Sequence, residues 1–258
     1  MLNAKTEVLD RRVQFYLEET LALPLEDLPD GSVCVLEMPD RGARMLKFGS
    51  VQKNRLLIRR IGSRGVALAA PEIIDVVRAT IDCLHTWELF STLGVAELDR
   101  ALHRVGHEAL GGAIHYTLSE TDYASGGPVT DACSERLLLS DDPPIDGHFD
   151  GDYLDAFAVE EDGKCVSKAQ IRWKTKEFIE IAVDTEVGYR GRGYGRAVVA
   201  AATDWILDQG AAGHYPVTPD NLPSCRIARS LGYKVGWFEI FGRELKGGGS
   251  GRDEETIR

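Results

Sequence analysis

The chain has 258 residues, 43% hydrophobic and 28% charged, the composition of a folded globular protein with one large domain or two ordinary ones. Its formal net charge of −11 argues against nucleic acid or an anionic membrane as a nonspecific partner of the whole chain. Cys34, Cys83, Cys133, Cys165 and Cys225 include no C-x-x-C pair, so neither a disulfide framework nor a zinc knuckle is expected. Among the histidines only His103 and His107 have a four-residue spacing, and Arg104 stands where a zincin needs glutamate, so no metal is expected. Residues 1–10 are mixed polar and no apolar run approaches membrane-spanning length, which gives a cytoplasmic, reduced protein as the expectation.

In chain order, Leu9, Val13, Tyr16 and Leu17 space a helix over 9–23, stopped by Pro24. Short β-like runs follow at 32–37, 44–48, 56–61 and 66–69. Helices are predicted over 72–84, behind Pro71, and over 95–105. Gly111-Gly112 reads as the end of this region, with a further strand at 114–118. Residues 124–134, rich in Gly, Pro, Ser and Asp, read as a linker. Beyond it, 153–160 and 165–173 flank Asp162-Gly163, the strongest short hairpin signal, because both central residues must reach positive φ. A strand over 178–185, a helix over 193–207 ended by Gly210, a strand at 214–218 and a helix over 222–231 complete the pattern. The division is an N-terminal α/β domain at 1–130, a second domain at 131–245 and a flexible tail at 246–258. No internal repeat is evident.

The most informative stretch runs from Ile181 through Arg190-Gly191-Arg192-Gly193-Tyr194-Gly195 to Arg196. A strand enters a glycine-rich turn that opens a helix, so backbone amides are exposed where a ligand can approach closely. Arg190 and Arg192 add positive charge, and the physical reading is a pyrophosphate cradle. A dinucleotide loop would need glycine where Arg196 stands, and a Walker loop would need Gly-Lys-Ser/Thr; both readings fail.

The segment resembles the cofactor loop of the GNAT superfamily of N-acetyltransferases, Gln/Arg-x-x-Gly-x-Gly/Ala, through Arg190, Gly193 and Gly195. A second family signature, Asn-x-x-Ser/Ala on a helix ending in Gly-Phe/Tyr, is matched by Asn221, Ser224, Gly232 and Tyr233. The hairpin at 159–172 resembles the family's central meander, and the likeness covers roughly 130–245. Val66 to Ile74 followed by Trp87-Glu-Leu-Phe resembles the front of a two-part subgroup whose N-terminal half is a degenerate, cofactor-free copy. No glycine cradle precedes residue 130, so one acyl-CoA site is implied.

The resemblance implies a mixed-sheet α/β fold, α+β in its strand pattern, with acetyl-CoA as co-substrate. Backbone at Val183 to Thr185 would meet the pantetheine arm, and the amides of Gly191, Arg192, Gly193, Tyr194 and Gly195 the pyrophosphate, with Arg190 beside them. Asn221 and Ser224 would contact the pantetheine, acetyl or phosphate groups, although each also suits a helix start. The reaction needs a neutral amine, and an alkylammonium of pKa about 10.4 is only about one part in a thousand neutral at pH 7. Glu180 resembles the family's strand-borne glutamate base, with Asp184 and Glu186 as competitors. Ala228 stands where many members carry the tyrosine that protonates the thiolate; Tyr215, Tyr194 and Tyr233 remain alternatives. Trp173 reads as a core residue, His214 as a satisfied buried or surface histidine, and Cys225 has no adjacent base. The expected function is transfer of an acetyl group to a primary amine on a small molecule or peptide, the alternative being an acyl-CoA-binding sensor without catalysis. The oligomeric state is open.

Overall fold

The computed structural model describes residues 9–39, 54–123, 135–138 and 155–245. The predicted run at 44–48, the linker at 124–134 and the tail lie outside them. Helix α1 (Arg11–Leu21) starts where the Asp10 side chain accepts the Arg12 amide at 2.9 Å. It buries Val13, Tyr16, Leu17 and Leu21 along one face, and Ala22, at φ 57°, turns the chain out. Strands β1 (Val33–Glu37), β2 (Leu56–Ile61) and β3 (Arg64–Ala69) lead to helices α2 (Ile74–Ile81), α3 (Thr86–Leu89) and α4 (Thr92–His103), then to β4 (His107–Leu118). After β5 (Glu135–Leu138) come β6 (Asp155–Glu161), β7 (Lys164–Thr175) and β8 (Phe178–Thr185). Helix α5 (Tyr194–Asp208), strand β9 (Ala212–Val217), helix α6 (Leu222–Ser230) and strand β10 (Lys234–Glu244) follow. The β6–β7 turn has Asp162 at φ 52° and Gly163 at φ 74°, the hairpin geometry that Asp-Gly favours.

Among the described residues, ten strands form one mixed sheet in the order β1-β3-β2-β10-β4-β9-β8-β7-β6-β5. Strand β4 sits between β9 and β10, and β10 crosses back to pair with β2. Helices α5 and α6 pack on one face, over a core that includes Ile179, Ile181, Val198 and Val199. Helix α1 lies on the opposite face, over Leu57, Val66, Phe178 and Trp237. Helices α2 and α4 cover Leu56, Ile58, Ala67 and Ile240, which alternate with the residues under α1.

Several features depart from the sequence reading, among them strand β5, which has no predicted counterpart. Gly111-Gly112 does not end an element but lies inside the twelve-residue β4. Ala113 pairs with Glu239 and Leu110 with Phe241, so two glycines oppose one residue, which is a β-bulge. Strand β10 has no counterpart in the predicted pattern; a second irregularity between Val235 and Trp237, at Gly236, breaks its alternation. The short α3 was not predicted either.

Candidate active site

Strands β8 and β9 run parallel but pair only at Phe178↔Ala212, Ile179↔Gly213 and Glu180↔His214. Beyond that point β8 stays with β7, while Tyr215 to Val217 of β9 pair with β4. The sheet therefore opens into a V whose apex is the Glu180–His214 pair. A cleft of about 490 Å³ lies along its mouth. Val183, Thr185, Arg190, Gly191, Gly193, Tyr194, Gly195, Asn221 and Ser224 all line it. Of the predicted ligand-holding residues, Arg192 alone does not.

The loop is shaped by backbone that only glycine adopts cheaply. Gly191 (φ 78°) and Gly193 (φ 89°) are left-handed, and Gly193 is the N-cap of α5 with no side chain bonded to the helix start. The amides of the first turn thus point at the cleft. At Gly195 a Cβ would come within 3.1 Å of Thr185 Oγ1 and 3.4 Å of Ile227, so a side chain would narrow the passage. Arg190 Nε donates to the Thr185 carbonyl at 2.9 Å, holding the loop to the end of β8. Arg192 instead lies over the Tyr189 ring, 4.9 Å from its centroid, and reaches Glu161 at 3.3 Å. Glu161 also takes the Tyr194 hydroxyl, so the β6–β7 hairpin anchors the loop from outside. The cleft's further cations are Arg196 and Arg226, neither of which the sequence reading takes as a ligand residue although both lie inside its two signatures.

Asn221 caps α6, its Oδ1 accepting the Ser224 amide at 3.2 Å, and it faces the cleft as well. The capping and ligand readings of this residue are compatible, since its amide nitrogen is not used in the cap.

Glu180 is 5% exposed and outside the cleft lining. Its carboxylate meets Arg172, Lys174 Nζ at 2.8 Å and His214 Nδ1 at 3.1 Å. Burial alone would raise the carboxyl, but the His214 hydrogen bond and the charges of Lys174 and Arg172 hold it well below the usual range. His214 Nε2 is 2.8 Å from His115 Nδ1, and His115 Nε2 is 3.7 Å from Glu239, which binds Arg59 at 2.7 Å. The polar row Arg172–Glu180–His214–His115–Glu239–Arg59 follows six spatially adjacent strands, β7-β8-β9-β4-β10-β2. Both imidazoles stack on Trp237. Burial lowers His214 and brings His115 to about 3, so both rings are neutral near pH 7. Two neutral rings carry two N–H groups, enough for the His214–Glu180 and His115–His214 contacts, while the 3.7 Å between His115 and Glu239 is too long for a hydrogen bond. The sequence reading assigns neither ring this position: it gives His214 only as a satisfied buried or surface histidine and does not single out His115.

The competing acids are engaged at the rim. Asp184 accepts the Thr185 amide at 2.8 Å and lies 3.8 Å from Arg190, and Glu186 pairs with Lys164 at 2.7 Å. The three tyrosines left open by sequence now separate. Tyr194 is tied to Glu161, and Tyr233 bonds Thr203 at 3.0 Å in the core, where burial raises it. Tyr215 is buried one residue past the apex, its hydroxyl without a well-formed hydrogen bond among the described residues. Burial pushes it up to about 12 against the influence of Ser224, so it is a protonated donor beside the first turn of α6. The Trp173 side chain lies outside the described residues.

Residues 126–233 match the Acetyltransferase (GNAT) family model. Among solved structures, the chain is similar to a GCN5-related N-acetyltransferase from Kribbella flavida, at 17% identity over 78% of this chain and 93% of that one, TM-score 0.45. A GCN5-related N-acetyltransferase-like protein from Streptococcus suis 89/1591 is 21% identical over 58% and 68% of the two chains, TM-score 0.44. The Salmonella typhimurium protein yncA, solved with its cofactor acetyl-CoA, is 18% identical over 40% and 69%, TM-score 0.30. No curated protein matches the chain.

Proposed function

The chain carries a GNAT-family acetyltransferase domain over residues 126–233, and from that premise we propose that it transfers an acetyl group from acetyl-CoA to a primary amine. The observation that carries this reading is the uncapped start of α5, opening at Gly193 onto the cleft beside the β8–β9 separation. The residues fit the ligand. The narrow floor at Gly195 admits a thin arm, and the amides of Gly191 to Gly195 with Arg190, Arg196 and Arg226 suit a pyrophosphate.

Acetyl-CoA, when bound, supplies the activated thioester. Asn221 and Ser224 would orient its pantetheine arm, and the side of β8 from Val183 to Thr185 that β9 leaves open would hydrogen-bond it. Glu180, at the apex, attracts the acceptor ammonium and takes its proton. Because Lys174 and Arg172 hold Glu180 ionised, it is always ready to accept but is a weak base. Tyr215 gives a proton to the leaving sulfur, in the role that Ala228 cannot fill.

Ala228 favours a second reading, an acyl-CoA-binding module without turnover. One set of measurements separates them. Acetyl-CoA should raise the melting temperature of the purified chain, and Gly193→Glu, which sets a carboxylate against the phosphates, should remove the shift. Acetyl-CoA consumption with a panel of amines then distinguishes enzyme from module. A shift that survives in Gly193→Glu would overturn the site itself.

A further inference from the structure

The end of the sheet far from the cleft gathers a second set of chemistry-bearing side chains. His107 opens β4 and Glu244 closes β10, and the two are direct cross-strand partners. Glu72 arrives from the turn between β3 and α2. The backbone pins this corner, with Ala70 N bonded to Arg55 O at 2.8 Å, Arg55 N to Gly242 O at 2.7 Å and Leu245 N to Gly106 O at 2.9 Å. One ligand atom from each of Glu72, His107 and Glu244 lies within 4.8 Å of the others.

The imidazole distinguishes this group from an ordinary acidic cluster. His107 is 6% exposed, and its Nδ1 is 2.9 Å from the Val105 carbonyl. A carbonyl oxygen only accepts, so Nδ1 carries a proton, and the singly protonated tautomer that fits this contact has its lone pair on Nε2. Nε2 is buried with no hydrogen-bond partner among the described residues, and Glu72 Oε1 is 3.9 Å away. A ring fixed through Nδ1 to a backbone carbonyl, with Nε2 free, is the tautomer that ligates metal. We propose that Glu72, His107 and Glu244 bind a divalent transition-metal ion of the zinc class, in a three-ligand site whose fourth position is open to water. One nitrogen and two carboxylates suit zinc, whereas magnesium or calcium would favour oxygen ligands throughout.

Arg55 is the competitor built into the site. Its guanidinium pairs with Glu72 and lies 3.7 Å from Glu244, supplying the positive charge that the two carboxylates need without an ion. The side chain is 41% exposed, so it can turn into solvent when a metal takes over that charge. Bound metal then staples the β4–β10 end to the β3–α2 turn. The four-residue spacing to His103 plays no part in this site. His103 belongs to α4, with its Nδ1 2.9 Å from the Asp99 carbonyl, and the ligands that join His107 are distant in sequence.

The test uses the full chain, untagged and stripped with chelator, titrated with zinc chloride by calorimetry, with cobalt(II) absorption as a second readout. One equivalent should bind saturably and raise the melting temperature, and cobalt should give the strong visible bands of four-coordination. His107→Ala should weaken binding by about 100-fold or more, beyond the 10–100-fold that losing a supporting partner costs. Glu244→Gln, at an exposed side chain that leaves the fold undisturbed, should weaken it as well. Arg55→Gln should tighten it several-fold. No saturable zinc binding by the stripped chain, binding unchanged in both His107→Ala and Glu244→Gln, or binding weakened in Arg55→Gln would each overturn the proposal.

Discussion

Mild acid should destabilise this protein well before its carboxylates titrate, and the buried imidazoles set the size of the effect. His115 has a folded pKa of about 3 against an ordinary 6.5, so between those values the unfolded chain binds a proton that the folded chain refuses. Stability is therefore full above pH 6.5 and falls as pH drops toward 3. At pH 5 the loss is about 1.5 units at about 1.4 kcal/mol each, or about 2 kcal/mol from His115 alone. A chain of this size should lose about 4–8 °C in melting temperature for that amount. His214 is lowered by the same burial and adds to the loss with the same sign. Glu180 and Glu239, held below their ordinary range with Glu239 at about 2, contribute only below about pH 4.5, so the window from 6.5 to 5 isolates the histidines. Melting curves at constant ionic strength across that window measure the slope. In His115→Asn, which keeps a polar side chain but cannot titrate, the slope should shrink relative to that variant's own value at pH 7. A wild-type melting temperature that is flat from pH 7 to 5, or an undiminished slope in His115→Asn, would refute the reasoning.

Glu180→Gln should lower turnover of a high-pKa amine by about 10²-fold or more while acetyl-CoA binding stays unchanged. The wild-type rate should climb with pH as the ammonium loses its proton, with no inflection between pH 5 and 7, because the carboxyl is already ionised there; an inflection near 6 would assign the base elsewhere. Tyr215→Phe removes one hydroxyl and should cut kcat about tenfold with the KM for acetyl-CoA unmoved; an unchanged kcat excludes it as the proton donor. A fragment beginning at Ser134 holds every cofactor-site residue but lacks β4, and with it Tyr116 and Leu118 of the core under α5. It should fail to melt cooperatively, whereas a cooperative transition with acetyl-CoA binding would show that β9 and β10 close without the strand between them.

How much was legible in the sequence follows from how local each rule is. The hairpin at Asp162-Gly163, the strand into the loop and the helix start at Gly193 depend on neighbouring residues, and the structure has them where the pattern put them. Strand β10 depends on distant ones. Its bulge at Gly236 and the opposing bulge at Gly111-Gly112 shift the two-residue alternation, and only the facing strand makes the segment regular again. Side-chain direction was similarly hidden. Arg192 and Arg196 flank the same helix start, yet Arg192 leans on Tyr189 and Glu161 while Arg196 faces the cleft. Asn221 was readable both as cap and as ligand residue because the geometry permits both. The polar row through His115 and His214 could not be read at all. Each member sits on a different strand, and only the order of those strands makes them neighbours.

That strand order also governs how the chain can be made. Translation delivers β4 long before β10, the strand that covers one of its edges, and β2 must wait for the same partner. For on the order of ten seconds at the usual pace of a ribosome, the finished front half has open strand edges on β2 and on both sides of β4. Pairings this distant in sequence are slow to form, and exposed edges in the interval invite association with other chains. The nascent protein is therefore most exposed to aggregation just before its last strand emerges, and a binder that shields an open edge during synthesis should raise the yield of folded chain more than any stabilisation of the finished molecule.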